Sequence, residues 1–503
     1  MQKYLLGYDL GSSSIKASLV DAATGQTIAS AQSPTEEMPM LALKPGWAEQ
    51  DPEMWWQHAI KSTHLCLKKA SVSGGDIAAI GISYQMHGLV CVDRNKNVIR
   101  PSIIWCDSRA VGIGESAASK LGHSFCLEHF LNSPGNFTAS KLAWIKHNEP
   151  ASFERIFKVM LPGDYLAMKL SGEIATTDTG LSESIFWDYK NGGIAMSLLD
   201  FFGIPQDLLA PLVPVFGPQA ELNEEAASIL GLKKGTKISY RAGDQPNNAF
   251  SLNVLNPGET AATAGTSGVI YSVTDQNAFD VKSRVNTFIH VNNNTDKTMG
   301  LRNGVLLCVN GTGILNSWLR KNIQTNGSYD YEKMNGIASS SPVGADGLVL
   351  LPFGNGAERV LENRNIDASF HGLNFNRHDQ SHIFRAAQEG IVFALKYGFD
   401  VLQEMGLKTN VIRAGHANMF LSPLFREAFV NTIGARLELY DTDGAKGAAL
   451  GAGVGSGIYA SFEDAFRGFK LIKSEDPNAE KAAQYNQAYN RWYQCLQHQM
   501  NSN

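Results

Sequence analysis

Short β-rich runs alternate along this chain with longer amphipathic stretches, the pattern of a mixed α/β protein. Tyr4-Leu5-Leu6-Gly7-Tyr8 predicts a strand, Gly11-Ser12-Ser13-Ser14 a turn, and Ile15 to Val20 a second strand, so the N-terminus reads as a hairpin. The same pattern returns at mid-chain: Glu259 to Thr263, a turn over Ala264-Gly265-Thr266-Ser267-Gly268, then Val269 to Val273. Further strands are predicted at Ile80-Gly81-Ile82, Pro101 to Arg109, Lys237 to Tyr240, Gly347 to Phe353 and Val411 to Arg413. Helices are predicted over Met54 to Lys68, with Asp51 as N-cap and Pro52 in the first position, and over Val305 to Leu319 and Ser381 to Met405. Gly447 to Gly455 lacks G-x-G-x-x-G spacing and reads as a close-packed helix of small residues. A polar tail from Lys473 is helical over Ala479 to Leu496.

Two similar hairpins half a chain apart hint at a duplicated domain. At 503 residues the chain also exceeds what one core usually serves. Asn256-Pro257-Gly258 marks a turn at a domain junction. The expected division is 1–253, 254–461 and a helical tail over 462–503. Composition narrows the function. A net charge of −5 leaves no basic excess for nucleic acid. Six scattered cysteines, none at C-x-x-C spacing, disfavour zinc or a disulfide framework and fit a reducing cytoplasm. Asp9 interrupts the first apolar run, so neither a leader nor a membrane span is expected. Oligomeric state stays open, a homodimer included.

Each hairpin turn can aim backbone N–H groups and hydroxyls at an anion, because glycine lets the backbone approach closely. Gly11, Ser12, Ser13 and Ser14 form one candidate phosphate clasp, with Lys16 as an added cation; Gly265, Thr266 and Ser267 form the other. An acidic residue precedes each: Asp9, a candidate for Mg²⁺ through water, and Asp244, a candidate general base also near the metal. Gln85, Met86 and His87 follow a strand at the end where α/β sheets place ligands, and with Gln245 they suit a sugar or polyol. Gly313 opens a helix, with Ser317 one turn on, and can contact phosphate or ribose. A Walker A sequence and a G-x-S-x-G elbow are both absent, which argues against P-loop and α/β-hydrolase chemistry.

Tyr8-Asp9-Leu10-Gly11, Lys44-Pro45-Gly46-Trp47-Ala48-Glu49-Gln50-Asp51, Gln85-Met86-His87-Gly88, Trp105-Cys106-Asp107-Ser108-Arg109, Leu161-Pro162-Gly163-Asp164, Gly243-Asp244-Gln245 and Gly265-Thr266-Ser267-Gly268 occur in that order. Together they resemble the FGGY carbohydrate kinases over nearly the whole chain. The resemblance implies a two-domain actin-like ATPase (ribonuclease H-like) fold, duplicated mixed-sheet lobes with a cleft between them. It implies ATP as co-substrate with Mg²⁺, Asp244 as base, and D-xylulose as the sugar, phosphorylated on its 5-hydroxyl. Ribulose, another pentulose or gluconate remain alternatives, as does a non-catalytic sugar sensor on the same scaffold. It adds Trp105 to the sugar site, and Gly415, His416 and Asn418 to an adenosine turn. In that turn His416 stands where the family has glycine, and Met419-Phe420-Leu421 is a short insertion. In Ala357-Glu358-Arg359 an alanine replaces the family's glycine.

Overall fold

The computed structural model describes residues 2–294, 300–323 and 329–502. Its chain forms two compact units. The first takes Met1–Asn253, Phe288–Asn303 and Thr442–Phe469; the second takes Val254–Thr287, Gly304–Asp441 and Lys470–Asn503. The chain first changes unit after Asn253. The contiguous division does not describe the rest, because 442–469 returns to the first unit and the tail from Lys470 belongs to the second.

The first unit is built on strands β1 (Tyr4–Leu10), β2 (Ile15–Asp21), β3 (Thr27–Ser33), β4 (Ile77–Tyr84), β5 (Phe216–Glu221) and β6 (Lys237–Gly243), in the spatial order β5-β6-β4-β1-β2-β3. β1 runs antiparallel to β2 and parallel to β4; β6 is parallel to β4 and antiparallel to β5. Alternation is weak in β1 and β4 because both faces are covered. Helix Pro52–Ala70 covers one face and buries Trp55 and Trp56; its N-cap Asp51 accepts the Glu53 N–H. The small-residue helix Gly444–Gly455 covers the other. It lies so close that a Cβ on Gly7 would stand 1.9 Å from the Ala445 carbonyl oxygen, and one on Gly81 2.0 Å from that of Ala448.

The second unit repeats the plan. Six of the seven strands of its sheet among the described residues, β7 (Thr260–Ala264), β8 (Gly268–Thr274), β9 (Asn303–Val309), β10 (Val411–Gly415), β11 (Arg436–Tyr440) and β12 (Leu471–Glu475), lie in the order β9-β8-β7-β10-β11-β12. β7 is antiparallel to β8 and parallel to β10, β10 is parallel to β11, and β11 is antiparallel to β12. With β7 in the place of β1, these are the directions of the first sheet, so the duplication hinted at by the two hairpins is present in the topology. Helix Gln380–Glu404 runs through the core of this unit, and helix Ala479–Ser502 buries Tyr485, Trp492 and Leu496 in it.

Three elements depart from the sequence reading. Val305 to Val309 is strand, and the helix begins only at Gly313. Of Pro101 to Arg109 only Ser102–Ile103 is strand; the remainder is a turn held by Arg109, which pairs with Asp107 and Glu49, all three buried. The tail over 462–503 is a short helix, an edge strand and a packed helix, so it is part of both cores rather than a polar appendage. Among the described residues no helix is long and apolar enough to cross a membrane.

Candidate active site

β1, β4 and β6 run parallel and end together, with Asp9 beside Ser83 in register and Gly243 beside Tyr84. That common edge gathers most of the candidate residues of the first unit. Asp9, the penultimate residue of β1, accepts the Ser83 hydroxyl at 2.9 Å. A Cβ on Gly444 would stand 2.4 Å from Asp9 Oδ2, so only glycine at the head of that helix leaves room for the carboxylate. Asp244 is the first residue of helix Asp244–Ser251, directly after β6. Burial first, and then the charge of Asp9, push its carboxyl up to about 7, while hydrogen bonds from Gln245 pull the other way. Asp9 is likewise raised, chiefly by burial, with the Ser83 hydrogen bond opposing. Asp9 is close enough to disturb Asp244, and Asp443 to disturb Asp9; carboxylates so placed suit a shared cation or a shared proton.

The sugar candidates lie next to this pair. Gln85 and Met86 are buried. The Gln85 backbone N–H donates to the Leu10 carbonyl at 2.7 Å, which ties the Gln-Met-His-Gly stretch to the end of β1. Met86 packs against Gly243, where an added Cβ would come within 2.7 Å of its Cγ. Gln85 Oε1 and Gln245 Oε1 are buried acceptors without a hydrogen-bond partner. Such acceptors are costly unless a donor arrives, and hydroxyl groups of a ligand are donors of the right kind. Gln50, from the Lys44 to Asp51 stretch, donates to the Ser12 carbonyl at 2.7 Å and accepts the Trp55 indole N–H at 3.1 Å, fixing the hairpin turn. Trp105 is 39% exposed, with its indole nitrogen 3.4 Å from Ser12 Oγ.

The first hairpin turn is closed by Gly11 N–H on the Ser14 carbonyl at 3.1 Å. The Lys16 ammonium pairs with Asp443, the N-cap of helix Gly444–Gly455. In the second unit the Gly265 turn meets the start of helix Gly313–Asn322. Gly313 N–H donates to the Gly265 carbonyl at 2.9 Å and Ile314 N–H to that of Thr266 at 3.2 Å. Asn418, at φ 55°, has its side-chain amide against Gly265. Gly265, Thr266, Gly313 and Asn418 thus form one group, with Ser317 one turn along the same helix. Gly415 ends β10, and His416 is exposed, its N–H held by the Tyr440 carbonyl at 2.9 Å. The insertion forms a short turn of helix, Asn418–Leu421, anchored by buried Met419 and Phe420. Glu358 is fully buried, raised to about 7 by that burial, and accepts the Asn310 N–H at 3.0 Å, which secures the turn before Gly313.

Several residues escaped the sequence reading. Glu183, from helix Asp178–Glu183, is 2% exposed and accepts the His87 N–H and the Tyr84 hydroxyl, each at 2.8 Å. Lys141 is wholly buried and donates to the His87 carbonyl at 2.9 Å. Asp443 and Gly444 carried one signal, an N-cap residue and glycine before an apolar run. Ser83 carried none beyond its place on a predicted strand. Among the described residues no group of three or more His, Cys, Asp or Glu side chains is arranged to hold a metal; the acidic residues of this edge are Asp9 and Asp244, with Asp443 and Glu183 near enough to act on them electrostatically.

The chain matches the model of the FGGY family of carbohydrate kinases, N-terminal domain, over residues 4–251, and that of its C-terminal domain over 260–456. It is 28% identical to the xylulose kinase of Bacillus subtilis strain 168, across 99% of this chain and 97% of that protein. A xylulose kinase structure from Rhodospirillum rubrum superposes with a TM-score of 0.85 at 24% identity, covering 99% of this chain and 100% of the other. The gluconate kinase structure from Lactobacillus acidophilus does so with 0.86 at 23% identity, covering 99% of each. Likeness at that identity speaks for the fold and leaves the sugar open. With both domain models matched across nearly its whole length, this chain belongs to the FGGY family of carbohydrate kinases.

Proposed function

We propose that the protein transfers the γ-phosphoryl group of ATP to the 5-hydroxyl of D-xylulose, with Asp244 as general base. The observation that carries this reading is the Asp244 carboxyl, raised to about 7 beside Asp9 and adjoining the Gln85 to His87 stretch. A primary alcohol is a poor nucleophile, and a base within hydrogen-bond reach removes its proton as the attack proceeds. The proton passes from the sugar O5 to an Asp244 carboxylate oxygen. Phosphoryl transfer has a loose transition state, so a base near neutrality suffices. Met86, His87, Gln85, Gln245 and Trp105 orient the sugar, and the unpartnered Oε1 atoms of Gln85 and Gln245 accept its hydroxyl groups. Ser12, Ser13 and Ser14 offer phosphate donors in the first unit; Gly265, Thr266, Ser267, Gly313, Ser317, Gly415, His416 and Asn418 serve the nucleotide in the second. Asp9, with Asp244 nearby, would hold Mg²⁺, which would supply positive charge against the charge that develops on the phosphates. The paired buried carboxylates fit that cation. Lys16 is reserved by Asp443 and adds less to phosphate binding than its position in the hairpin suggests.

D-xylulose is favoured over other sugars by the names of the full-length relatives, among them the Bacillus subtilis protein. The test is ADP release measured by a coupled assay across D-xylulose, ribulose, other pentuloses, gluconate and glycerol. D-xylulose is expected to give the highest kcat/KM. A higher value for ribulose or gluconate reassigns the substrate within the family, and ATP turnover indifferent to every sugar removes the kinase reading of this site.

A further inference from the structure

His87 stands in the left-handed region, at φ 62°, which is uncommon for a residue bearing a side chain. Two buried charged side chains hold its backbone. Glu183 Oε2 accepts the His87 backbone N–H at 2.8 Å, and Glu183 Oε1 accepts the Tyr84 hydroxyl at 2.8 Å. The Glu183 backbone oxygen lies 2.9 Å from His87 Nδ1. From the other side, Lys141 of helix Thr138–Asn148 donates to the His87 carbonyl at 2.9 Å and to that of Ile104 at 3.0 Å. Phe137 and Phe288 pack on the imidazole, with centroids 5.0 and 5.3 Å away. A buried charge is costly unless it is paired or hydrogen-bonded. Here two of them, of opposite sign, are directed at the N–H and C=O of one residue. The clamp also adjoins the base: a Cβ on Gly243, the residue before Asp244, would stand 3.0 Å from Glu183 Oε1.

We propose that Glu183 and Lys141 are positioning residues that grip the His87 backbone at both ends and so aim its imidazole at the sugar, setting sugar affinity without touching the reacting atoms. This rests on the reading of His87 as a sugar contact. Burial raises the Glu183 carboxyl, against the hydrogen bonds from His87 and Tyr84, and lowers the Lys141 ammonium to about 8, against the nearby charges of Asp107 and Glu183.

The test is steady-state kinetics of full-length Glu183→Gln, varying D-xylulose at saturating ATP and ATP at saturating sugar. The variant keeps the side chain's shape and loses one acceptor. The expected result is a sugar KM raised roughly tenfold to a hundredfold, with kcat and the ATP KM within about threefold of wild type. His87→Ala raises the sugar KM as well, and Glu183→Gln adds little in the His87→Ala background, since both act through one contact. If His87→Ala raises the sugar KM and Glu183→Gln leaves it unchanged, the clamp is refuted while the His87 reading stands. If His87→Ala itself leaves the sugar KM unchanged, the His87 reading falls and the clamp with it. A fall in kcat and a rise in both KM values together, with a lowered melting temperature, assigns Glu183 to folding alone and also overturns the proposal. Glu183→Asp, which keeps the charge but shortens the reach, is subject to the same outcomes should Glu183→Gln not fold.

Discussion

Asp244 owes its chemistry to where it stands. A carboxyl exposed on a loop stays near its ordinary value; here burial, and then the neighbouring Asp9 charge, lift it to about 7. On the proposal that Asp244 is the base, the ionised carboxylate is the active form, and its fraction rises with pH through that value. The rate with saturating ATP is therefore expected to climb on an acid limb centred near 7, and Asp9→Asn moves the limb to lower pH in whatever activity it retains. The same shift acts on stability with the opposite sense. The folded protein binds the Asp244 proton more tightly than the unfolded chain, so this group's contribution is fully present below about pH 4 and is lost as pH rises through about 7. Asp244→Asn is then expected to be more stable than wild type at pH 8, by about 1–3 kcal/mol, with little difference at pH 4. Chemical denaturation at the two pH values checks this. Asp9 was legible as the acid before a Gly/Ser turn, and Asp244 as a lone carboxylate just beyond a predicted strand. Glu183 and Lys141 were not, because their partners lie 96 and 54 residues away and nothing local marks a buried charge.

At the scale of elements, glycines decide how closely the parts of each site meet. Gly444 leaves space for the Asp9 carboxylate, and Gly313 lets its helix approach the Gly265 turn, where an added Cβ would stand 2.2 Å from the Gly265 carbonyl oxygen. Gly444→Ala is expected to displace Asp9 and lower kcat roughly tenfold to a hundredfold, with an unchanged far-ultraviolet circular dichroism spectrum. Gly313→Ala is expected to raise the ATP KM about tenfold and leave the sugar KM in place. Initial-rate measurements with each substrate varied separate the two. Both hairpins were legible because glycine and serine between β-rich runs have few other uses. The boundary between Val309 and Gly313 was not: Val305 to Val309 is a continuous apolar run, which periodicity alone assigns to neither strand nor helix. The turn of Asp107 to Arg109 was missed for a different reason, since its buried ion pairs with Glu49 bring together residues far apart in sequence.

At the scale of the molecule, one plan is used twice: an antiparallel hairpin, two further parallel strands and an antiparallel edge. The sequence carried that duplication as a repeated composition. It did not carry the paths by which 442–469 joins the first unit and 470–503 the second, because such returns are set by packing partners, not by local pattern. The last helix is a consequence. Trp492 is 1% exposed, donates its indole N–H to the Leu350 carbonyl at 3.0 Å, and belongs to the core of the second unit. Trp492→Ala is expected to destabilise that unit by about 3–5 kcal/mol, seen as an earlier calorimetric transition. The catalytic claim is most directly tested by ADP release from ATP and D-xylulose with wild type and Asp244→Asn in parallel, sugar binding being followed by calorimetry. Turnover in the variant should fall at least about a thousandfold while sugar binding stays measurable. Turnover within a few-fold of wild type contradicts the assignment of Asp244 as the base.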